Sequence, residues 1–137
     1  MQFLEEYQEI VSKAINKYTF KDKPEELYAP MNYIISHGGK RLRPIMVLMA
    51  NDMFGGDLQK AIKPALAIEF FHNFTLIHDD IMDEAPLRRN KPTIHTLHGI
   101  NAGILSGDGL LLKAYKFFDD LEPGLFKACI RVFTHTG

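Results

Sequence analysis

The chain has 137 residues, 46% of them hydrophobic and 24% charged, with a formal net charge of −1. That length holds one domain with its own core, and the near-neutral balance excludes recognition of nucleic acid or an anionic membrane through bulk charge. The single cysteine, Cys129, excludes an internal disulfide and fits a reducing cytoplasm.

The acidic opening MQFLEEYQEI lacks the basic flank and apolar centre of a secretion signal. The longest apolar runs, such as IMVLMA, are too short to span a bilayer. From there the pattern reads as helix. Phe3, Leu4, Tyr7, Ile10, Val11, Ala14, Ile15 and Tyr18 recur at three- and four-residue steps, the stripe of an amphipathic helix. A second helix is expected from Pro24, capped by Asp22 or Lys23 and kinked or split at Pro30. It stops at Gly38-Gly39, because glycine is the usual residue just past a helix end. A third helix runs from about Leu42 to Gly55-Gly56. A long segment from Asp57 to about Met82 follows, with Pro64 as a restart point. Beyond an arginine-containing loop, ILSGDGLLLKAYKFFDDL and GLFKACIRVF read as two further helices. No alternating strand pattern, internal repeat or low-complexity linker is present, so the class is all-α.

The chemistry concentrates in IHDDIMDEAPLRRNKPTIH, residues 77–95. On a helix Asp79 and Asp83 lie about 40° apart, and His72 is about 20° off the same line. His72, Leu76, Asp79 and Asp83 therefore form one stripe. Like charges at that spacing repel by a few tenths of a kcal/mol, and carboxylates near a helix C-terminus oppose the macrodipole. A cation relieves both penalties, and hard oxygen donors in this arrangement suit Mg²⁺, which takes one or two carboxylates together with phosphate oxygens. A solvated acidic helix end explains a lone DDxxD equally well. The neighbours shift the balance. GGKRLRP, residues 38–44, sets three cations behind two glycines at a helix mouth, where backbone N–H groups and basic side chains hold anions. Lys40 and Arg43 face the same way if that turn is helical, and Arg88-Arg89 adds a second basic pair.

The runs GGKRLRP, EFFHNFTLIHDDIMDEAPLRRNKPTIH and LSGDGLLLKAY resemble the trans-type polyprenyl (isoprenyl diphosphate) synthases. The signatures of that family are GGKxxRP, H-x-x-S/T-L-x-H-D-D-x-x-D, RRGxPxxH and GDxLL, found here in that order from about Lys23 onward. The resemblance implies an antiparallel helical bundle of the isoprenoid synthase type, of which residues 1–137 are the N-terminal part of a single domain. It implies ionisation of an allylic diphosphate and attack on the cation by isopentenyl diphosphate. Asp79 and Asp83 are then Mg²⁺ ligands with Asp80 in support. Arg88 contacts the allylic diphosphate, and Lys40, Arg43, His72 and Arg89 hold isopentenyl diphosphate. Such an enzyme is a cytoplasmic homodimer.

Phe74 and Thr75, just before the acidic motif, match the family's chain-length positions. Helix geometry alone favours Thr75 and Phe71 as tunnel lining, since Phe74 is about 140° round from Asp79. The expected product is short, farnesyl or geranylgeranyl diphosphate. Two departures stand out. Asn90 replaces the family's glycine, though asparagine tolerates positive φ. No second aspartate-rich motif follows Asp83, since Asp119-Asp120 lacks its third member. The expectation is therefore an N-terminal half that binds metal-diphosphate weakly and transfers prenyl groups poorly or not at all. Two alternatives remain open. One is an inactive fragment or partner subunit acting by helical association. The other is an HD-type metal phosphohydrolase built on His78-Asp79 with His72 and Asp108, although His78 faces about 100° away from Asp79.

Overall fold

In the computed structural model, residues 2–137 are described, with side chains from Leu4 onward. Phe3, at the head of the first stripe, lies outside the described side chains. Among the described residues seven helices follow one another: α1 (Gln2–Lys17), α2 (Glu25–Ser36), α3 (Leu42–Met53), α4 (Leu58–Met82), α5 (Ile94–His98), α6 (Ile100–Lys116) and α7 (Pro123–Thr136). A small hairpin, β1 (Leu87–Arg88) and β2 (Lys91–Pro92), sits between α4 and α5. No described helix is long and apolar enough to cross a membrane.

The α1 stripe buries Tyr7, Val11, Ala14 and Ile15, at the spacing that puts them on one face. Extended Pro24 precedes α2, in the capping place expected of Asp22 or Lys23. Gly38 and Gly39 stop the chain with φ of 69° and 135°, values open to glycine at little cost. Neither internal proline breaks its helix. Pro30 is buried inside α2, and α4 runs through Pro64 for 25 residues, about 37 Å. Asp57 caps α4, its carboxylate accepting from the Gln59 N–H at 2.9 Å, one of the orphan donors of a helix start.

The central pair is α4 with α6. Phe70 meets Phe117 edge-on at 4.9 Å, and His78 bonds the Ile104 carbonyl. Position rises along α4 as it falls along α6, so the two are antiparallel. Against them lie α1, α2, α3 and the short α5. Phe70, Leu48, Leu66, Ala67, Leu110 and Ala114 form the dry centre of this packing, each at most 1% exposed. Phe20 and Tyr18 extend it through ring contacts to Phe70 and Phe117.

The sequence pattern carried no sign of the hairpin or of α5. The hairpin pairs Leu87 with Pro92 and Arg88 with Lys91, so Arg89-Asn90 is a two-residue loop. Both loop residues have positive φ, 52° and 62°, as a right-twisted hairpin with so short a loop requires. Asn90 thus serves where the family carries glycine. Buried Thr93 closes the segment through its hydroxyl to the Ala85 carbonyl, at 2.8 Å.

Candidate functional site

The acidic motif ends α4. Asp83 is its C-cap residue, its N–H bonded to the Asp79 carbonyl at 2.8 Å, so Asp79 and Asp83 stand one turn apart and both are exposed. Asp80 points elsewhere. It is buried, and Arg88 grips it with Nε and Nη2 at 2.8–3.0 Å. This bidentate bond is the chief cause that raises the Arg88 pKa, and the charges of Asp79 and Asp83 add to it. All three aspartates therefore act on one guanidinium. Arg88, expected to contact diphosphate directly, is positioned by Asp80, and its Nη1 lies outside the pair.

Arg89 sits in the hairpin loop and turns the other way, donating from Nη1 to the Gly38 carbonyl. A Cβ on Gly39 would stand 2.6 Å from that nitrogen, and its φ of 135° is a conformation that glycine alone adopts freely. Arg43, on the first turn of α3, reaches His72 on α4 with Nη1 3.3 Å from Nε2. Burial lowers the His72 pKa first, and Arg43 lowers it further. Glu69 opposes, while Arg89 and Arg88 push the same way as Arg43. His72 is thus a neutral acceptor for an arginine at the centre of three guanidinium charges. Lys40 is exposed ahead of α3. The turn there is not helical, because Arg41 has φ 48°, so the pairing of Lys40 with Arg43 by helical spacing does not hold.

Sequence reasoning gave Arg41 no part. Its side chain is 9% exposed and paired with the Glu69 carboxylate, itself 6% exposed. Its Nη2 donates to the Ile35 carbonyl, ending α2. Asn73 donates to Glu69 from one turn on, at 3.1 Å. This network hangs the basic loop on α4 three residues before His72. The only available signal was a glutamate inside an apolar run.

Of the chain-length positions, Phe71 meets Phe133 of α7 at 5.0 Å and Phe74 at 5.5 Å. Phe74 stacks edge-on against His78 at 4.9 Å. The Thr75 hydroxyl bonds the His72 carbonyl at 2.7 Å. The two phenylalanines thus belong to the aromatic row linking α4 to α6 and α7. The Asp79–Asp83 stripe itself opens to solvent. A groove of about 850 Å³ lies elsewhere, lined by Ile10, Lys17, Lys63 and Phe117 among others, and none of the aspartates or arginines of the cluster borders it.

Among the described residues no group of three His, Cys, Asp or Glu side chains is gathered to hold a metal. Asp79 and Asp83 offer two hard carboxylates, with Asp80 committed to Arg88. That donor set fits a magnesium ion completed by phosphate oxygens and water, and it does not fit a zinc or nickel cage built on histidine. His78 comes within 3.8 Å of Asp108 on α6, but His72 faces Arg43 instead, so the four residues of the HD-type grouping do not converge.

The polyprenyl synthetase family model matches residues 24–136. The geranylgeranyl diphosphate synthase of Methanosarcina mazei is 40% identical over 128 residues, covering 92% of this chain and 40% of the relative. A crystal structure of a geranylgeranyl pyrophosphate synthase superposes with a TM-score of 0.94 at 42% identity, over 97% of this chain and 41% of that one. The corresponding enzyme of Geoglobus acetivorans gives a TM-score of 0.90 at 39% identity, over 96% and 44%. The chain spans about two-fifths of the length of these relatives. On sequence and on fold alike, the chain belongs to the polyprenyl synthetase family.

Proposed function

We propose that this chain forms the allylic and isopentenyl diphosphate-binding part of a short-chain prenyltransferase, making geranylgeranyl or farnesyl diphosphate. The observation that carries the reading is the cluster itself. Two solvent-facing carboxylates on α4 lie in the field of Arg88, and Arg43, Arg88 and Arg89 converge electrostatically on His72. Magnesium held by Asp79 and Asp83 supplies charge neutralisation for a departing diphosphate. Arg88, fixed by Asp80, presents its free guanidinium edge to the same anion. Arg43, His72, Arg89 and exposed Lys40 hold the second diphosphate, His72 keeping Arg43 extended by accepting from it. Catalysis is then orientation of two chains and electrostatic stabilisation of the leaving anion, with no side-chain nucleophile.

Relatives named geranylgeranyl and short chain isoprenyl diphosphate synthases support a short product, with Phe74, Phe71 and Thr75 as the chain-length positions. Ile100, Ile104, Leu105 and Leu112 are exposed apolar residues on α6, interrupted by exposed Asp108, an apolar surface of the kind that subunits cover. It supports a homodimer. The reading places the protein in the cytoplasm.

Calorimetric titration of the chain with pyrophosphate in magnesium tests it. Binding is expected to need magnesium and to weaken at least tenfold in Asp79→Ala and in Asp83→Ala, about 1.4 kcal/mol each. Prenyl transfer by these 137 residues alone is expected to be slow or absent. Magnesium-independent binding, or binding untouched by both substitutions, refutes the assignment.

A further inference from the structure

The notch that α6 presents to α4 has no part in the chemistry above. Gly107 is buried directly beneath the His78 imidazole, and a Cβ there would run into Nε2. One turn earlier, a Cβ on Gly103 would stand 2.8 Å from Ile81 Cδ1. The imidazole is held in place rather than merely packed. Nε2 lies 3.2 Å from the Ile104 carbonyl and 3.8 Å from Asp108 Oδ1. A carbonyl only accepts, so Nε2 carries the proton.

His78 and Ile81 lie about 60° apart on α4, and their shared direction is about 150° from the line through Asp79 and Asp83. Two knobs seated in two glycine notches on one side therefore set the rotation of the helix end that presents the two carboxylates on the other. The Asp80–Arg88 pair is the third point of the fixture. Beyond Asp79, the last carbonyls of α4 are met only by N–H groups of the following loop, Ala85 to Asp80 and Glu84 to Ile81, so the rotation of this turn depends on what packs against it. A pair of ligands sharing one ion tolerates little such rotation.

We propose that His78 and Gly107 are positioning residues. Their ring-in-notch contact fixes the register and rotation of the α4 terminus and so sets the affinity of Asp79 and Asp83 for a magnesium-bound diphosphate. This rests on the function proposed above. The test measures the Kd for magnesium pyrophosphate together with the melting temperature, using Gly124→Ala as control, since a Cβ there meets nothing within 4 Å. Gly107→Ala is expected to weaken binding at least tenfold. Pairing it with His78→Ala, which removes the obstructing ring, is expected to bring Kd back to within threefold of the His78→Ala value. His78→Ala alone, which keeps the fold and loses the anchor, weakens binding about threefold or more. It decides the matter if Gly107→Ala does not fold.

A purely structural contact lowers the melting temperature of these variants and leaves Kd unchanged in the folded protein, and that result overturns the proposal. If the parent binds and Asp79→Ala abolishes binding while His78→Ala and Gly107→Ala bind like the parent, the positioning role alone is lost. If the parent does not bind magnesium pyrophosphate at all, the functional reading falls and this one with it.

Discussion

Arg41→Ala removes one partner of a pair whose side chains are 9% and 6% exposed. Glu69 would keep its Asn73 donor and lose its Arg41 cation, and the Ile35 carbonyl would lose its guanidinium donor. Breaking a buried pair from one side costs about 3–5 kcal/mol, most of it the penalty of the stranded charge. Alanine relieves none of the strain of φ 48° at this position, about 1–2 kcal/mol for a residue with a Cβ. Against a domain stability of about 5–15 kcal/mol, the loss corresponds to a melting point lower by about 10–20 °C. Arg41→Gly adopts the backbone freely and is expected to lose about 1 kcal/mol less than Arg41→Ala. Adding Glu69→Leu to Arg41→Ala removes the stranded carboxylate and is expected to recover about 2 kcal/mol, since the uncompensated buried charge makes up most of the cost of breaking such a pair. Urea unfolding followed by circular dichroism measures all three. A cost below about 1 kcal/mol for Arg41→Ala, or strict additivity in the double variant, refutes the idea that this network carries the basic loop.

The pH dependence of two groups can be read in sign from their surroundings. Burial and the Arg43 charge keep His72 below its ordinary 6.5, so its contribution is complete above 6.5 and is lost as pH falls from there through the lowered folded value. Proton NMR titration of the His72 ring checks this, and Arg43→Ala is expected to move the midpoint upward. Tyr7 behaves oppositely. Its hydroxyl donates to Asp52 at 2.6 Å and its pKa is pushed up from 10.0 to about 12. Its stabilising share is full below 10 and fades as pH rises toward 12. Ultraviolet titration of the phenol in Asp52→Asn is expected to show ionisation returning toward 10.

The helices were legible wherever a local rule governs them. Gly38-Gly39, the α1 stripe and the unbroken run after Ala65 each specify their structure within a few residues. The segment 84–93 was not legible because strands of two residues are too short to display a period of two. Arg89-Asn90 carries its turn by tolerated positive φ rather than by glycine. Pro64 was a restart point by rule, yet α4 passes through it. The burial of Ala61, Ala65 and Leu66 around it illustrates packing outweighing one missing hydrogen bond. Arginines were the least legible of all. Residue type marks Arg41, Arg43, Arg88 and Arg89 alike as anion ligands, and only the tertiary partner separates them. Arg41 is held by Glu69 and Arg88 by Asp80, whereas Arg43 shares its contact with a neutral imidazole.

That separation explains why α4 shows no single apolar face. Glu69, Asn73 and Asp80 are buried among Phe70 and Ile77, where unpaired charges would be prohibitive. Each has a partner: Glu69 has Arg41 and Asn73, and Asp80 has Arg88. With those charges matched inside, the two carboxylates left facing solvent, Asp79 and Asp83, carry a surplus of like charge at a helix C-terminus, where the dipole disfavours them. An external divalent cation removes both penalties at once. The helix therefore has its buried acids bound to arginine and its exposed acids short of a cation, and Arg43 and Arg89, outside that internal pairing, together with the Arg88 edge that Asp80 leaves open, are what remains to meet an anion.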